Sequence, residues 1–292
     1  MTITAACDFV GRSRSGYYKW QDRKGEEKEK PGPQKGAYVD EKMVERIREV
    51  REEMAPIQVG YRRITAILNY KKGITVNKKK VQRINQIMGW QARSYRRPTR
   101  PKPEPEDPNR PVVNPEDPVQ VNKPNQRWST DLTKIYIKNE GWANLIPVLD
   151  NCTRECLGWV FSRRCRAKEA QDAIREAVIN RFGSEQEVPE DLELLTDNGS
   201  IFLARDFQDQ MDEYGIGQTF TPYECPSANG LAERFIKTVK EEKTWHFVFE
   251  SMEEAEEAIR EFIQEYNEER LHSSLDYKTP AIFAEQFRNE VA

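Results

Sequence analysis

Residues 128–137 (WSTDLTKIYI), 142–151 (WANLIPVLDN) and 155–162 (ECLGWVFS) decide the fold. Each is rich in branched and aromatic residues, and short turns at Asn139–Gly141 and Asn151–Arg154 join them, which predicts three consecutive strands. Downstream the pattern alternates. AKEAQDAIREAVINRF (167–182) predicts a helix with Ala170, Ile174, Ala177 and Val178 inward. DLELLTDNG (191–199) predicts a short buried strand ending in a turn, ARDFQDQMDEYG (204–215) a helix closed by Gly215, and GQTFTPY (217–223) a further strand. A long helix is expected from about Ala228 towards Trp245. SMEEAEEAIREFIQEYN (251–267) predicts another, capped by Ser251 with Glu254 three residues on. Strands first, then alternating helix and strand, predict an α/β fold: a mixed sheet with helices on its faces.

Upstream the chain changes character. Between Pro98 and Pro124 nine of 27 residues are proline, which reads as an extended linker and a domain boundary. Before it, ACDFVGRSRSGYYKW (6–20) reads as a short helical piece, followed by a charged connector near Gly25–Gly36. In VDEKMVERIREVREEM, Met43, Ile47, Val50 and Met54 recur on one helical face, which Pro56 and Gly60 break. YRRITAILNY follows with Tyr61, Ile64 and Leu68 on one side, and Gly73 stops it. Asn77 is a plausible N-cap for KKKVQRINQIMGW, with Val81, Ile84 and Met88 inward. Three short helices with tight turns outline a small helix-turn-helix-like domain. The domains read as 1–36, 37–97, 98–124, 125–248 and 249–292.

The formal net charge of -3 hides an asymmetry. Residues 1–100 carry 24 Lys+Arg against 11 Asp+Glu; residues 101–292 carry 22 against 38. Gly60–Arg100 holds twelve Lys+Arg and no acid, interleaved with Tyr61, Tyr70, Trp90 and Tyr95. That block points to a polyanion, nucleic acid, as partner, with Arg62, Arg63 and Arg83 among its contacts. Lys78, Lys79 and Lys80 fall in the first turn of the third helix, where free backbone N–H groups already favour a phosphate. No apolar run reaches 18 residues, so a membrane-spanning helix is excluded, and the N-terminus lacks the pattern of a secretory signal. Five irregularly spaced cysteines argue against a disulfide framework and for a reducing cytoplasm.

Three acids stand apart: Asp131, Asp197 and Glu233. Spacing alone is weak, because Asp206 and Glu242 repeat the 35-residue interval between Asp197 and Glu233. Context separates them. Asp131 lies in an apolar strand, Asp197 ends the buried strand LELLT before Asn198-Gly199, and Glu233 sits on the first turns of a helix. Asp206 and Glu242 lie on charged helix stretches and read as solvated. Carboxylates that converge need a cation between them, and oxygen-only donors suit Mg²⁺ or Mn²⁺. Two such ions, about 3.5–4 Å apart, serve in-line phosphoryl transfer. Asn229, Glu233, Lys237 and Lys240 share one helix face, which places both lysines to hold DNA phosphates.

WSTDLTKI, LLTDNGSIF and TPYECPSANGLAERFIKTVKEE together resemble the D-D-E motif of the integrase-type (rve) transposases, and specifically the OrfB proteins of the IS-three insertion sequences. GYRRITAILN, VNKKKVQRINQIMGW and the tail YNEERLHSSLDYKTPAIF extend the likeness over nearly the whole chain. The resemblance implies a ribonuclease H-like catalytic domain with helices on both faces of the sheet. It implies Asp131, Asp197 and Glu233 as a metal-holding triad, and metal-dependent cleavage and strand transfer at the ends of an element in double-stranded DNA. It also implies an upstream end-recognition domain from a separate reading frame, to which this chain would be fused. Arg270-Leu271-His272 departs from the family's Arg-Pro-His. Transposition holds two DNA ends together, so a homo-oligomer on DNA is expected. A catalytically inactive DNA-binding regulator and a nuclease that cuts without joining are the other readings.

The remaining polar residues read as structural. Asp150, in VLDNCTREC, suits the hydrogen bonds of a hairpin turn. Cys152, Cys156 and Cys165 lack the spacing and the histidine of a metal cluster and read as free thiols. His246 and His272 are the two histidines, which leaves a Ser/His/Asp system without support; His272 reads as a loop residue.

Overall fold

A computed structural model describes residues 40–92, 121–222 and 229–291. The stretch 6–20, the connector 25–36, Tyr95, most of the proline-rich stretch and the loop up to Ala228 lie outside them. The chain falls into two compact units, Met1–Val44 and Glu45–Ala292, and the contacts below lie within the second.

The first helices follow their apolar stripes. In α1 (Glu41–Glu53) Met43, Ile47 and Val50 are buried, and the helix ends ahead of Pro56. α2 (Tyr61–Ala66) buries Ile64 and widens into a π turn over Ile67–Lys71 that buries Leu68. Gly73, at φ 65, turns the chain away. α3 (Lys78–Ile87) starts at Asn77, whose side chain accepts the Lys79 N–H at 2.8 Å. Val81 and Ile84 are buried, but Met88, expected inward, is 37% exposed. The helix stops at Ile87, which leaves Met88 as its C-cap, and Gly89, at φ 68, turns the chain aside straight after it, so Met88 sits at an open helix end. Arg51 crosses from α1 to donate to Trp90 O at 3.1 Å, with its guanidinium over the indole ring.

The strand expected over 128–137 is two pieces, β1 (Arg127–Thr130) and β2 (Thr133–Ile137). Both run antiparallel along one edge of β3 (Gly141–Asp150), Thr130 opposite Val148 and Thr133 opposite Leu145. The two pieces therefore keep one register, and the break at Asp131–Leu132 falls opposite Ile146–Pro147. Pro147 has no N–H to give the ladder, which accounts for the interruption. β4 (Cys156–Ser162) pairs with the other edge of β3. β5 (Glu193–Thr196) runs parallel to β1, and β6 (Gly217–Phe220) parallel to β5. The sheet is mixed: a hairpin half, then a parallel half.

Side chains alternate across it and build two cores. On one face Trp128, Ile146, Val148 and Leu194 pack against α4 (Ala167–Phe182), the short α5 (Ser200–Leu203) and α6 (Arg205–Glu213). Ala170, Ile174, Ala177 and Val178 are buried as expected. The β4–α4 contact is close because position 158 is glycine; a Cβ there would meet the backbone of Ala177 and, at 2.8 Å, Ala173 O. On the other face Ile135, Leu145, Leu149 and Phe161 pack against α7 (Gly230–Val239) and α8 (Met252–Glu268). Phe235 of α7 meets Tyr266 of α8 edge-on at 4.7 Å. α7 widens into a π turn at Lys240–Thr244, and α9 (Pro280–Val291) ends the described chain. Ser251 caps α8 through the Glu254 N–H, and Glu254 reaches back to the Glu250 N–H at 2.7 Å. Among the described residues no helix is long and apolar enough to cross a membrane.

Candidate active site

The parallel ladder sets Arg127 beside Glu193, Trp128 beside Leu194 and Ser129 beside Leu195. Continued past the strand ends, the same register sets Asp131 beside Asp197. Neighbouring strands lie about 4.8 Å apart, so the two carboxylates leave one edge of the sheet together, at the C-terminal ends where α/β folds place their sites. Each is half-buried and steadied locally. Asp131 Oδ1 accepts the Leu132 N–H and Asp197 Oδ1 the Gly199 N–H, both at 2.8 Å. Gly199 leaves room for this: a Cβ there would stand 2.8 Å from Asp197 Oδ1.

Glu233 arrives on α7. The helix is held to the same sheet edge by Asn229, whose Nδ2 donates to Thr130 O at 2.9 Å, one residue before Asp131. Asn229, grouped on sequence with the DNA contacts, is only 4% exposed and ties helix to strand. Asn198 holds the Asp197 turn in the same way, donating to Thr221 O at 2.9 Å. Glu233 is exposed one helical turn beyond Asn229.

The donors fit a hard divalent ion in kind, since three carboxylates offer oxygen and neither sulfur nor imidazole. The strand register, continued past the strand ends, would set two of them side by side. Among the described residues no three His, Cys, Asp or Glu side chains are already gathered for a metal, so Glu233 is brought to the same edge by its helix but not into a finished cluster.

The basic residues divide by exposure. Arg62, Lys78, Lys79 and Arg83 are exposed and Lys80 is half-buried. Lys237 is half-exposed and pairs with Glu241 at 3.5 Å, while Lys240 opens the π turn. Arg63 is different. It is 17% exposed and donates to Glu242 at 2.5 Å, and Arg270 grips the same carboxylate with Nε at 3.1 Å and an Nη at 2.9 Å. Glu242, read as solvated, is thus a buried bridge. Burial alone would raise it, but Arg270 and Arg63 override that and hold it down to about 2. Phe235, Val239 and Glu242 follow one another at four and three residues, so the buried stripe that carries Glu242 inward was visible in the sequence. Asp206 is exposed on α6, as expected.

Asp150 is a turn residue. It is fully buried and accepts the N–H groups of Asn125, Cys152 and Thr153 at 2.8, 2.7 and 3.0 Å. Cys152, Cys156 and Cys165 are free thiols. His272 stacks edge-on against Tyr266 at 4.7 Å, and burial first, then the charge of Arg270, push its imidazole down to about 3.

Integrase core domain models match residues 121–225 and 214–280, and an HTH-like domain model matches 39–98. The transposase for insertion sequence element IS904 of Lactococcus lactis is 31% identical over 229 residues, covering 77% of this chain and 86% of that one. The chain belongs to the insertion-sequence transposases. Another member, transposase InsD for insertion element IS2D of Escherichia coli, is 32% identical to this transposase over 170 residues, 58% of this chain and 56% of InsD. Among solved structures the HTLV-2 integrase catalytic core domain aligns with 55% of the transposase and 97% of its own chain, at 20% identity and a TM-score of 0.42. Asp131 and Asp197 fall within the first integrase-core match of the transposase, Glu233 within the second, and Lys78–Lys80 within the HTH-like match. Its mixed sheet with helices on both faces, spanned by the two integrase core domain matches, is the integrase-type α/β fold expected from the sequence.

Proposed function

We propose that this transposase cuts double-stranded DNA at the ends of its insertion sequence and joins the freed 3′-hydroxyl to another strand. In the first step a water oxygen attacks a phosphodiester and a 3′-hydroxyl leaves. In the second that hydroxyl attacks a new phosphodiester and releases its 3′ oxygen. Each step makes one P–O bond and breaks one, so the protein needs no Ser or Tyr nucleophile.

Asp131, Asp197 and Glu233 are the residues proposed to hold divalent ions, two Mg²⁺ or Mn²⁺. Ions bound there would supply Lewis acid stabilisation to the oxygens of the reacting phosphate. What supports the triad is the shared register of Asp131 and Asp197 at one sheet edge, with the helix of Glu233 tethered to it through Asn229. The chain's own part is orientation: Gly199 N–H and Leu132 N–H each fix one carboxylate oxygen. Lys237 and Lys240 are proposed to steady the scissile strand. Lys78, Lys79, Lys80, Arg62 and Arg83 are proposed to hold the duplex through its phosphates, which sets affinity rather than sequence choice.

The same reading divides the chain into an N-terminal piece (1–36), a DNA-holding domain (37–97), a linker (98–124), the catalytic core (125–248) and a helical extension (249–292). It places the protein in the cytoplasm, as a homo-oligomer on DNA, alone or joined to an upstream reading-frame product. The deciding experiment incubates the chain with duplexes carrying the element's terminal repeats and Mg²⁺, and reads both nicked and joined products. Joined products that vanish in Asp131→Asn and Glu233→Gln, with duplex binding kept, are expected. Normal cleavage in either variant would overturn the site assignment, nicking without joining would leave a simple nuclease, and binding without either product would leave a regulator.

A further inference from the structure

A cavity of about 460 Å³ lies between α2, the first turns of α7 and the segment that follows α8. Five arginines line it, Arg62, Arg63, Arg154, Arg234 and Arg270, and no acid is among the described lining residues. Glu242 neutralises part of this charge, but it is shared by Arg63 and Arg270. Glu265 acts on that pair only through space. Arg154 and Arg234 have no ion-pair partner among the described residues. Asp150, the acid that acts on Arg154, is taken up by three backbone N–H groups and lies 3.7 Å from Arg181. The Arg154 Nε is buried without a hydrogen-bond partner.

An open cavity with two uncompensated guanidiniums calls for an anion with several acceptor oxygens, a carboxylate or a phosphate. Position separates the two. Arg62 and Arg63 belong to the HTH-like match, while Gly230, Leu231 and Arg234 belong to the helical turn that carries Glu233. The cavity therefore borders both the HTH-like helices and the helix that carries Glu233, as a DNA phosphate site would, and its volume admits a sugar beside the phosphate. Ser273 and Ser274 add hydroxyl donors on the far wall. The depressed His272, which Arg63 and Arg154 also push down, reports the same positive surroundings.

We propose that the cavity is a seat for one backbone phosphate of the DNA strand, gripped by Arg154 and Arg234. The proposal rests on the transposase reading and adds a site between its two DNA-facing parts. The test uses the full chain and a short duplex carrying the element end, with anisotropy measured across a salt series. Neutralising a phosphate contact removes about 0.9 from the slope of log affinity against log salt. Arg154→Gln and Arg234→Gln are each expected to flatten the slope by about that amount and to weaken binding about tenfold. Arg234 is exposed, so its replacement keeps the test valid if Arg154→Gln disturbs the turn it occupies. If Arg234→Gln keeps wild-type affinity and slope while Lys78→Gln flattens its own, the seat does not exist and the transposase reading stands. If a glutamate-rich peptide loses binding in both arginine variants and the duplex does not, the cavity takes an acidic protein segment and the proposal is overturned. A wild-type chain that binds no duplex, either alone or joined to its upstream reading-frame product, overturns both readings together.

Discussion

Asp131 and Asp197 each follow the end of one of two parallel strands whose register, Ser129 beside Leu195, would set the two acids side by side if continued, though 65 residues of chain separate them. Two carboxylates on neighbouring strand ends repel each other, and a divalent cation relieves that repulsion only in the folded chain.

Mg²⁺ is therefore expected to raise the melting temperature. A ligand at a hundredfold excess over its Kd adds about 2.7 kcal/mol, which is several degrees for a domain of this size. Asp197→Asn should remove most of that rise without lowering the metal-free melting temperature. An equal rise in the variant would place the ion elsewhere.

Gly199→Ala separates geometry from stability. The backbone at 199, φ -64 and ψ 141, suits alanine, yet the new Cβ would stand 2.8 Å from Asp197 Oδ1 and drive that carboxylate aside. Cleavage should fall by about a hundredfold, as for a group displaced by an ångström or so, with melting almost unchanged. Unaltered cleavage would show that this oxygen has no fixed role.

Glu242→Gln leaves Arg63 and Arg270 buried without their shared carboxylate, and should cost about 3–5 kcal/mol of stability in denaturant titration. The pH dependence follows from the same contact. Glu242 is held at about 2 against an ordinary 4.5, so its contribution is complete above pH 4.5 and is lost as pH falls towards 2. Wild-type stability should drop across that window by more than the variant's does. Parallel curves would remove Glu242 from the account.

Gly158→Ala tests the seam between β4 and α4. The added methyl meets helix backbone, which cannot rotate away, so a loss of about 1–3 kcal/mol or more is expected from calorimetry. A neutral substitution would mean that the helix shifts freely.

Local signals gave most of the elements. The stripes of α1 and α4, the Asn77 cap and the end of β5 at Asp197 all depend on neighbours within a few residues. What escaped was decided at a distance. The break in WSTDLTKIYI comes from Pro147, across the ladder. Asp131 and Asp197 could each be singled out, but their alignment depends on parallel pairing, which leaves no trace in either segment. Asn229 shared a helix face with Glu233 and so read as a ligand-facing residue, whereas its carbonyl partner, Thr130 O, belongs to a strand 99 residues earlier. Glu242 read as a surface acid because its neighbours are charged, although its place behind Phe235 and Val239 pointed inward. Arg154 reads only as the end of a turn; its place on the cavity wall beside Arg63, Arg234 and Arg270 goes with a backbone at φ 66 and with elements far along the chain.

The bridge from Arg63 through Glu242 to Arg270 has an evolutionary corollary. The HTH-like match carries one leg of this three-legged knot and the integrase core match the other two, so any exchange of the first domain would trade a single leg. A donor lacking arginine at position 63 would leave the host's acid half-matched, and a host lacking the acid would strand the incoming arginine. Successful hybrids among such elements should therefore inherit these three positions as a set.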